Sequence, residues 1–389
     1  MKWETVEIGQ LGEVITGNTP PRKTPELYGD FIPFIKPTDM EIDRRYTPNP
    51  EECYSELGYE KYRKSLIPKG ATCVVTIGSI GKKMTQAFTD CFINQAVNAI
   101  IPNENYNQDF VFYLLKNNLD KVKGLDSGTS SGRENVSKSA FSSIEVKVTK
   151  HLPTQRKIAS ILSAYDDLIE NNLKRIKLLE EAININYKNL ISIEDKYFTN
   201  VKLNSFVDII SGFPFKSNYY NENGKFKIVT IKNVQDGFFV PIVTDKIDEI
   251  PDRMNEDLFL NTGDVIMSLT GNVGRVCLVY GENYVLNQRV VKLLAKDKND
   301  LGFIYALLRD KQMQTVLENL SNGTAQQNLS PIKMGELLIK YPSENTRKEF
   351  NEIAFPMIDL ICKLNQQNTK LREARDILLP KLMSGQIEV

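Results

Sequence analysis

Histidine is almost missing from this chain of 389 residues, where His151 stands alone. One imidazole cannot supply the Ser-His-Asp triads, histidine relays or His-ligated metal sites on which many enzymes depend. Close cysteine pairs are missing too: Cys53, Cys73, Cys91, Cys277 and Cys362 are scattered, with no Cys-x-x-Cys among them. That spacing argues against a cysteine zinc motif and predicts reduced, partly buried thiols in the cytosol. Lys plus Arg and Asp plus Glu both number 49. No net charge announces a polyanionic partner, so only a local basic stripe would serve one. No run approaches the roughly 20 apolar residues of a membrane helix. The opening MKWETVEIGQLGEV also lacks an apolar signal core. A cytoplasmic protein with no membrane partner is expected.

Much of what is present occurs twice. Gly70 to Gln95 (GATCVVTIGSIGKKMTQAFTDCFINQ) lies without a gap over Gly263 to Gln288 (GDVIMSLTGNVGRVCLVYGENYVLNQ). Gly70, Gly78 and Gly81 fall on Gly263, Gly271 and Gly274, Lys82 on Arg275, and Asn94-Gln95 on Asn287-Gln288. Trp3 over Phe198, Gly17 over Gly212, Ile35-Lys36 over Ile231-Lys232 and Gly128-Thr129 over Gly323-Thr324 keep nearly the same offset. A period of this length far exceeds the roughly 20 to 50 residues of a solenoid repeat, so a whole domain is duplicated. Each copy mixes short β-like runs, such as Thr72 to Ile77 and Cys91 to Ile93, with Gly/Pro/Asn turns and a helical stretch, Phe110 to Asn118 in the first. Both are expected to be compact α/β or α+β units.

Each copy is followed by a heptad pattern. Leu162, Tyr165, Ile169, Asn172, Ile176, Leu179, Ile183, Asn186 and Leu190 alternate steps of three and four. Ile353, Met357, Leu360, Leu364, Gln367, Leu371, Ala374 and Leu378 continue the rhythm in the second copy, where the polar break at Gln367 matches that at Asn172. Two matched seams are expected to bury each other as an antiparallel pair, the polar residues fixing register. A helix from about residue 155 to 190 would span roughly 50 Å. That is the order of the roughly 34–36 Å between half-sites one DNA turn apart.

Two kinds of motif could meet DNA. The turn Gly78-Ser79-Ile80-Gly81-Lys82-Lys83 resembles a phosphate loop, but Thr76 stands where that loop needs its first Gly, and Lys83 where it needs Ser or Thr. Glycine-exposed N–H groups flanked by Lys82, Lys83 or Arg275 suit a DNA phosphate, or form a plain β-turn with solvated cations. The polar loop 127–135 carries Thr129, Ser130, Arg133 and Asn135; its counterpart 322–328 carries Thr324, Gln326, Gln327 and Asn328. Arg reads guanine and Asn or Gln reads adenine, so the pair fits two different half-sites, or two ordinary surface loops. Asn94-Gln95 and Asn287-Gln288 either meet DNA or tie down a loop. The clusters Lys61-Tyr62-Arg63-Lys64 and Lys116 to Lys123 are charge runs of the kind that form solvated faces. No dinucleotide fingerprint or metal-ligand cluster occurs, nor the Asp/Asn-Pro-Pro-Tyr/Phe of adenine methyltransferases, since the only Pro-Pro is followed by Arg22. The residues read as a binder and scaffold, with no catalytic group. Competing readings are a protein-interaction scaffold that never touches DNA and, third, a nucleotide-dependent enzyme.

In combination these features resemble the DNA specificity subunit of type I restriction-modification systems, over essentially the whole chain. The resemblance is carried by Trp3, Val6 and Ile8, by Gly17-Asn18-Thr19-Pro20 and Ile32-Pro33-Phe34-Ile35, by Pro153-Thr154-Gln155 to Leu162, and by Leu378-Leu379-Pro380 to Ile387. It implies a mixed α/β fold with two homologous target-recognition domains, 1–152 and 193–342. An antiparallel, pseudo-twofold two-helix coiled coil, 153–192 and 343–389, would separate them. It further implies a non-catalytic subunit without its own cofactor, reading a bipartite double-stranded DNA sequence. Two modification subunits would dock on it, with restriction subunits joining; S-adenosylmethionine, ATP and magnesium belong to those partners. The second copy departs from the pattern at Ser343-Glu344-Asn345-Thr346, and Pro356 is expected to kink its helix or push its start towards residue 355.

Overall fold

The computed structural model describes residues 2–125, 135–192, 198–321 and 328–389. It divides into two compact units, Met1–Glu170 with Lys370–Val389, and Asn171–Thr369. Each unit is mixed α/β, built on the same plan from duplicated strands and a segment of each of two 40-residue helices, Leu152–Ile191 and Glu344–Met383. Each helix is roughly 60 Å long at about 1.5 Å per residue. Among the described residues no helix is long and apolar enough to cross a membrane.

In the first unit Trp3–Glu7 pairs antiparallel with Glu145–Thr149, closing the start of the globular part against its end. An antiparallel sheet follows in the order Gly12–Thr16, Val97–Pro102, Thr72–Val75, Met84–Gln86. Its central strand, Thr-Cys-Val-Val, is buried on both faces, which suits β-branched side chains. A second sheet sets Ile32–Ile35 parallel to Phe92–Ile93.

The second unit repeats this plan with Phe198–Lys202 on Leu338–Pro342 and with Val207–Ser211, Val290–Ala295, Val265–Ser268 and Val276–Leu278. Here Val229 pairs with Leu286 as Ile35 pairs with Ile93. The carbonyls of Ile35 and Val229 accept from Asn94 and Asn287, both at 3.0 Å. Val229 therefore occupies the place of Ile35, not Ile231 as aligned by sequence. A hairpin of Val234–Gln235 and Phe238–Phe239 follows it.

The long helices pair antiparallel within each unit. In the first, Ile158, Ala159 and Leu162 share a core with Leu379, Leu382 and Met383, and Asp166 meets Arg375 at 2.5 Å. In the second, Ile183, Tyr187 and Leu190 share a core with Phe350, Ala354 and Ile358. Asn172 Nδ2 donates to Gln367 Oε1 (3.1 Å) and to Asn368 Oδ1 (2.9 Å). Of the seam on the first helix, Leu162, Ile169 and Asn172 are buried, while Tyr165, Ile176 and Leu179 are half-buried. On the second helix Leu364 is buried, Met357, Leu360 and Leu371 are half-buried, and Gln367 and Ile353 are exposed. The deepest line there lies about one residue further on, through Ala354, Ile358, Ile361, Asn365, Asn368, Arg375 and Leu379. An apolar pattern passes over that line because Asn365, Asn368 and Arg375 are polar, and each is buried with a hydrogen-bond partner.

Pro356 does not delay the second helix, which runs unbroken from Glu344. The proline is exposed, so water can serve the carbonyl it leaves without an N–H. The different starts of the two helices also find an explanation. Gln155 ties the first to the globular part, accepting from the N–H of Asn107 (2.7 Å) and donating to Thr149 O (2.8 Å). In the second copy Arg347 instead pairs with buried Asp300 at 2.5 Å, and Tyr341 OH donates to the same carboxylate at 2.7 Å. An ion pair has replaced an amide clamp.

Candidate nucleic-acid interface

In both units the buried central strand runs into the Gly-x-x-Gly turn. Gly78 and Gly81 have φ of +87° and +68°, and Gly271 and Gly274 have +74° and +79°. Only glycine adopts these angles readily, which accounts for the recurrence of glycine at this spacing. Gly78 and Gly271 are exposed, and a Cβ at Gly78 would meet nothing within 4 Å, so backbone is open to approach there.

The polar loops are anchored on these turns. Asn135 bridges Ile77, and Val136 N–H donates to Thr76 O at 2.9 Å. In the second unit Asn328 bridges Thr270, and Leu329 N–H donates to Leu269 O at 2.9 Å. The helices from which the loops depart, Leu119–Gly124 and Lys311–Ser321, lie against the second glycines: a Cβ on Gly81 would sit 2.7 Å from Lys123 Cβ, and one on Gly274 3.6 Å from Leu317 Cβ. In each unit the described segment before the loop thus lies beside one glycine of the turn and the segment after it beside the other. Thr129, Ser130, Arg133, Thr324, Gln326 and Gln327 lie outside the described residues; Asn135 and Asn328 stand at the two anchors.

The three expected phosphate-binding cations differ in situation. Lys82 is exposed. Lys83 is half-buried and donates to Pro37 O at 2.9 Å. Arg275 is half-buried and donates to Gln235 Oε1 on the hairpin. With its amide turned over, Asn272 Oδ1 also accepts from Arg275 Nη1 and Nη2, at 3.0 and 2.6 Å. The first Asn-Gln pair ties down a loop, as Asn94 Nδ2 donates to Thr19 Oγ1 (2.9 Å) and Thr19 donates to Gln95; in the second pair Gln288 N–H donates to its neighbour Asn287 Oδ1 (2.8 Å). Gln95, Gln288 and Arg289 are exposed beside them.

The first unit also holds a buried charge network to which no motif in the sequence points. Arg45, 4% exposed, pairs with Asp109 at 2.7 Å and donates to Gln86 at 2.8 Å. Asp166 accepts from Tyr113 OH (2.6 Å) and from Arg375 (2.5 Å), and Arg44 pairs with Glu170 at 3.0 Å. These bonds fasten the helix segments to the globular part of the unit. Lys116 belongs here and not to a solvated face: burial, with Arg375 close by, pushes its ammonium below the usual value. In the second unit Glu180 accepts from Tyr305, and Arg309 reaches both Glu180 and Asp236. Burial raises the Glu180 carboxyl above the ordinary range. Among the described residues no group of three His, Cys, Asp or Glu side chains is placed to hold a metal ion.

Comparison with known proteins places this architecture. A family model described as the type I restriction modification DNA specificity domain matches residues 1–181 and again 196–372. The MjaIX specificity subunit of a type I restriction enzyme from Methanocaldococcus jannaschii is 26% identical over 414 residues, covering 100% of this chain and 94% of that protein. The MjaVIII specificity subunit from the same organism is 26% identical over 412 residues, with 100% and 93% covered. The HindI specificity subunit of Haemophilus influenzae is 30% identical over 183 residues, 46% of this chain and 39% of that one. Among solved structures, the type I restriction-modification S subunit from M. genitalium superposes with a TM-score of 0.61 at 18% identity, covering 98% of this chain and 96% of that one.

Proposed function

Because this chain belongs to the type I restriction-modification DNA specificity family, we propose that it is the sequence-reading subunit of such a complex, each unit reading one half of a bipartite double-stranded target. The observation that carries this is the pair of anchors. Ile77 with Asn135 and Thr270 with Asn328 hold two loops in the same way, while the loops differ in side chains. One frame presenting two sets of hydrogen-bonding residues suits two different base sequences. Backbone N–H groups at the turns and exposed Lys82 supply sequence-independent phosphate contact. A scaffold that binds only proteins is not favoured by the family membership.

The subunit itself is non-catalytic in this reading and holds no cofactor. Two modification subunits dock on exposed faces of the long helices and bring S-adenosylmethionine; restriction subunits bring ATP and magnesium. The complex works on DNA in the cytoplasm. The test is to co-express the chain with its methyltransferase subunits and sequence genomic methylation. A split adenine-methylated motif should depend on this chain, and exchanging residues 127–135 for another loop should change one half of it only. Methylation indifferent to the chain, or a change in both halves, would sink the proposal.

A further inference from the structure

The two copies can be aligned further upstream than their shared glycine-rich stretch. Residues 63–70 lie over 256–263 without a gap, and both segments open with a single 3-10 turn, Arg63–Ser65 and Glu256–Leu258. In each, the next residue's N–H donates back to the first carbonyl, Leu66 to Arg63 and Phe259 to Glu256. The backbone is conserved between the copies and the charge is inverted: Arg63-Lys64 in the first, Glu256-Asp257 in the second. With Lys61 the first copy presents three exposed cations. Lys61 Nζ lies 5.8 Å from the Tyr62 ring centre and the Arg63 guanidinium 5.9 Å from that of Tyr59. The only ion pair these cations make among the described residues is Arg63 with Glu60 at 3.9 Å, both about two-thirds exposed. Such a pair contributes little in water.

This basic ledge is continuous with the anchored turn. From the loop anchor Asn135 the path runs to Ile77, from Thr76 N–H to Ala96 O at 2.9 Å and from Gln95 to Thr19. From neighbouring Asn18 it passes through Nδ2 to Ser65 Oγ at 2.9 Å. A groove of about 520 Å³ between Asn18 and Tyr62 to Ser65 lies along the ledge. We propose that Lys61, Arg63 and Lys64 grip the DNA phosphate backbone for the first unit, and that the second unit lacks this grip. The proposal rests on the reading of the chain as a DNA specificity subunit. Loops that read different bases must differ, but phosphates are the same in every sequence. A charge inversion on a matched backbone therefore marks a difference in how firmly the two units hold DNA, not in which bases they read.

The test uses the full chain assembled with its methyltransferase subunits and a fluorescein-labelled 50-base-pair duplex of arbitrary sequence, titrated by anisotropy across a range of KCl. Arg63→Glu with Lys64→Asp gives the first unit the residues the second already carries on that turn, so the fold should tolerate them. Unchanged fluorescence of Trp3, the only tryptophan, checks this. Losing two phosphate contacts should lower the slope of log K against log[salt] by about 1.8 and weaken binding roughly 10- to 100-fold near 0.1 M salt. The reciprocal Glu256→Arg with Asp257→Lys should steepen the slope. An unchanged slope in the first variant overturns the proposal, as does loss of subunit assembly with DNA binding intact, which would make the ledge a protein-docking surface. No DNA binding by the unsubstituted complex would instead remove the reading beneath it.

Discussion

Replacing Arg375 by leucine should cripple the first unit through one buried charge. Arg375 is fully buried, and Asp166 is 2% exposed. Burial opposes the guanidinium charge, but Asp166 and Asp376 more than offset this and hold it above its usual value. Without it, Asp166 keeps the Tyr113 hydroxyl at 2.6 Å as its hydrogen-bond partner among the described residues, whereas Asp43 and Asp376 are about half exposed and stay solvated. Removing one partner of a buried pair costs about 3–5 kcal/mol. With a urea m-value of roughly 2–3 kcal/mol/M, the midpoint falls by on the order of 1–2 M. A chain of two units does not unfold in one step, so the probe must be local. Trp3 serves: it belongs to the first unit, and its indole packs so closely on Gly385 that a Cβ there would lie 2.3 Å from Nε1. Adding Asp166→Leu and Tyr113→Phe should recover most of the loss. A cost under about 1 kcal/mol, or no recovery in the triple variant, would refute the reasoning.

Two further outcomes follow from local geometry. Gly81→Ala should destabilise the first unit by about 1–3 kcal/mol, since it adds left-handed strain to a 2.7 Å collision with Lys123 Cβ. Gly274→Ala, with 3.6 Å to Leu317, carries the strain alone and should cost less; hydrogen exchange of the two turns compares them. Native alkylation at pH 8 should label Cys53 first. Burial lifts the Cys91 and Cys362 thiols to about 12 and Cys73 and Cys277 well above their ordinary value, leaving almost no thiolate, whereas Cys53 is raised less and is half-exposed. Mass spectrometry reads the sites, and fast labelling of Cys73 would contradict its burial.

The duplicated turns were legible because glycine at a left-handed position leaves an unmistakable mark, and the long helices because their apolar period persists for forty residues. The buried polar line on the second helix was not, since no single sequence shows that Arg375 meets an Asp 209 residues away. Pro356 does not set where its helix starts, because the cost of a proline depends on the face it occupies, and here that face is exposed. The hairpin around Asp236-Gly237 has a sequence signal of its own: Asp-Gly between Val-Gln and Phe-Phe is a strong turn signal, and Gly237 sits at φ +72°. The cluster Lys61-Tyr62-Arg63-Lys64 is plain in the sequence, but its counterpart Glu256-Asp257 is marked by backbone alone, through the matching 3-10 turns.

The composition of the first unit, Met1–Glu170 together with Lys370–Val389, has a consequence for how the protein is made. A ribosome adding roughly 5–20 residues per second needs on the order of 10–40 s to lay down the intervening second unit. Until then the core around Phe110, Val148 and Leu162 lacks Leu379, Leu382 and Met383. The domain translated first is therefore completed last, and it waits with an apolar face open to whatever in the cell shields nascent chains.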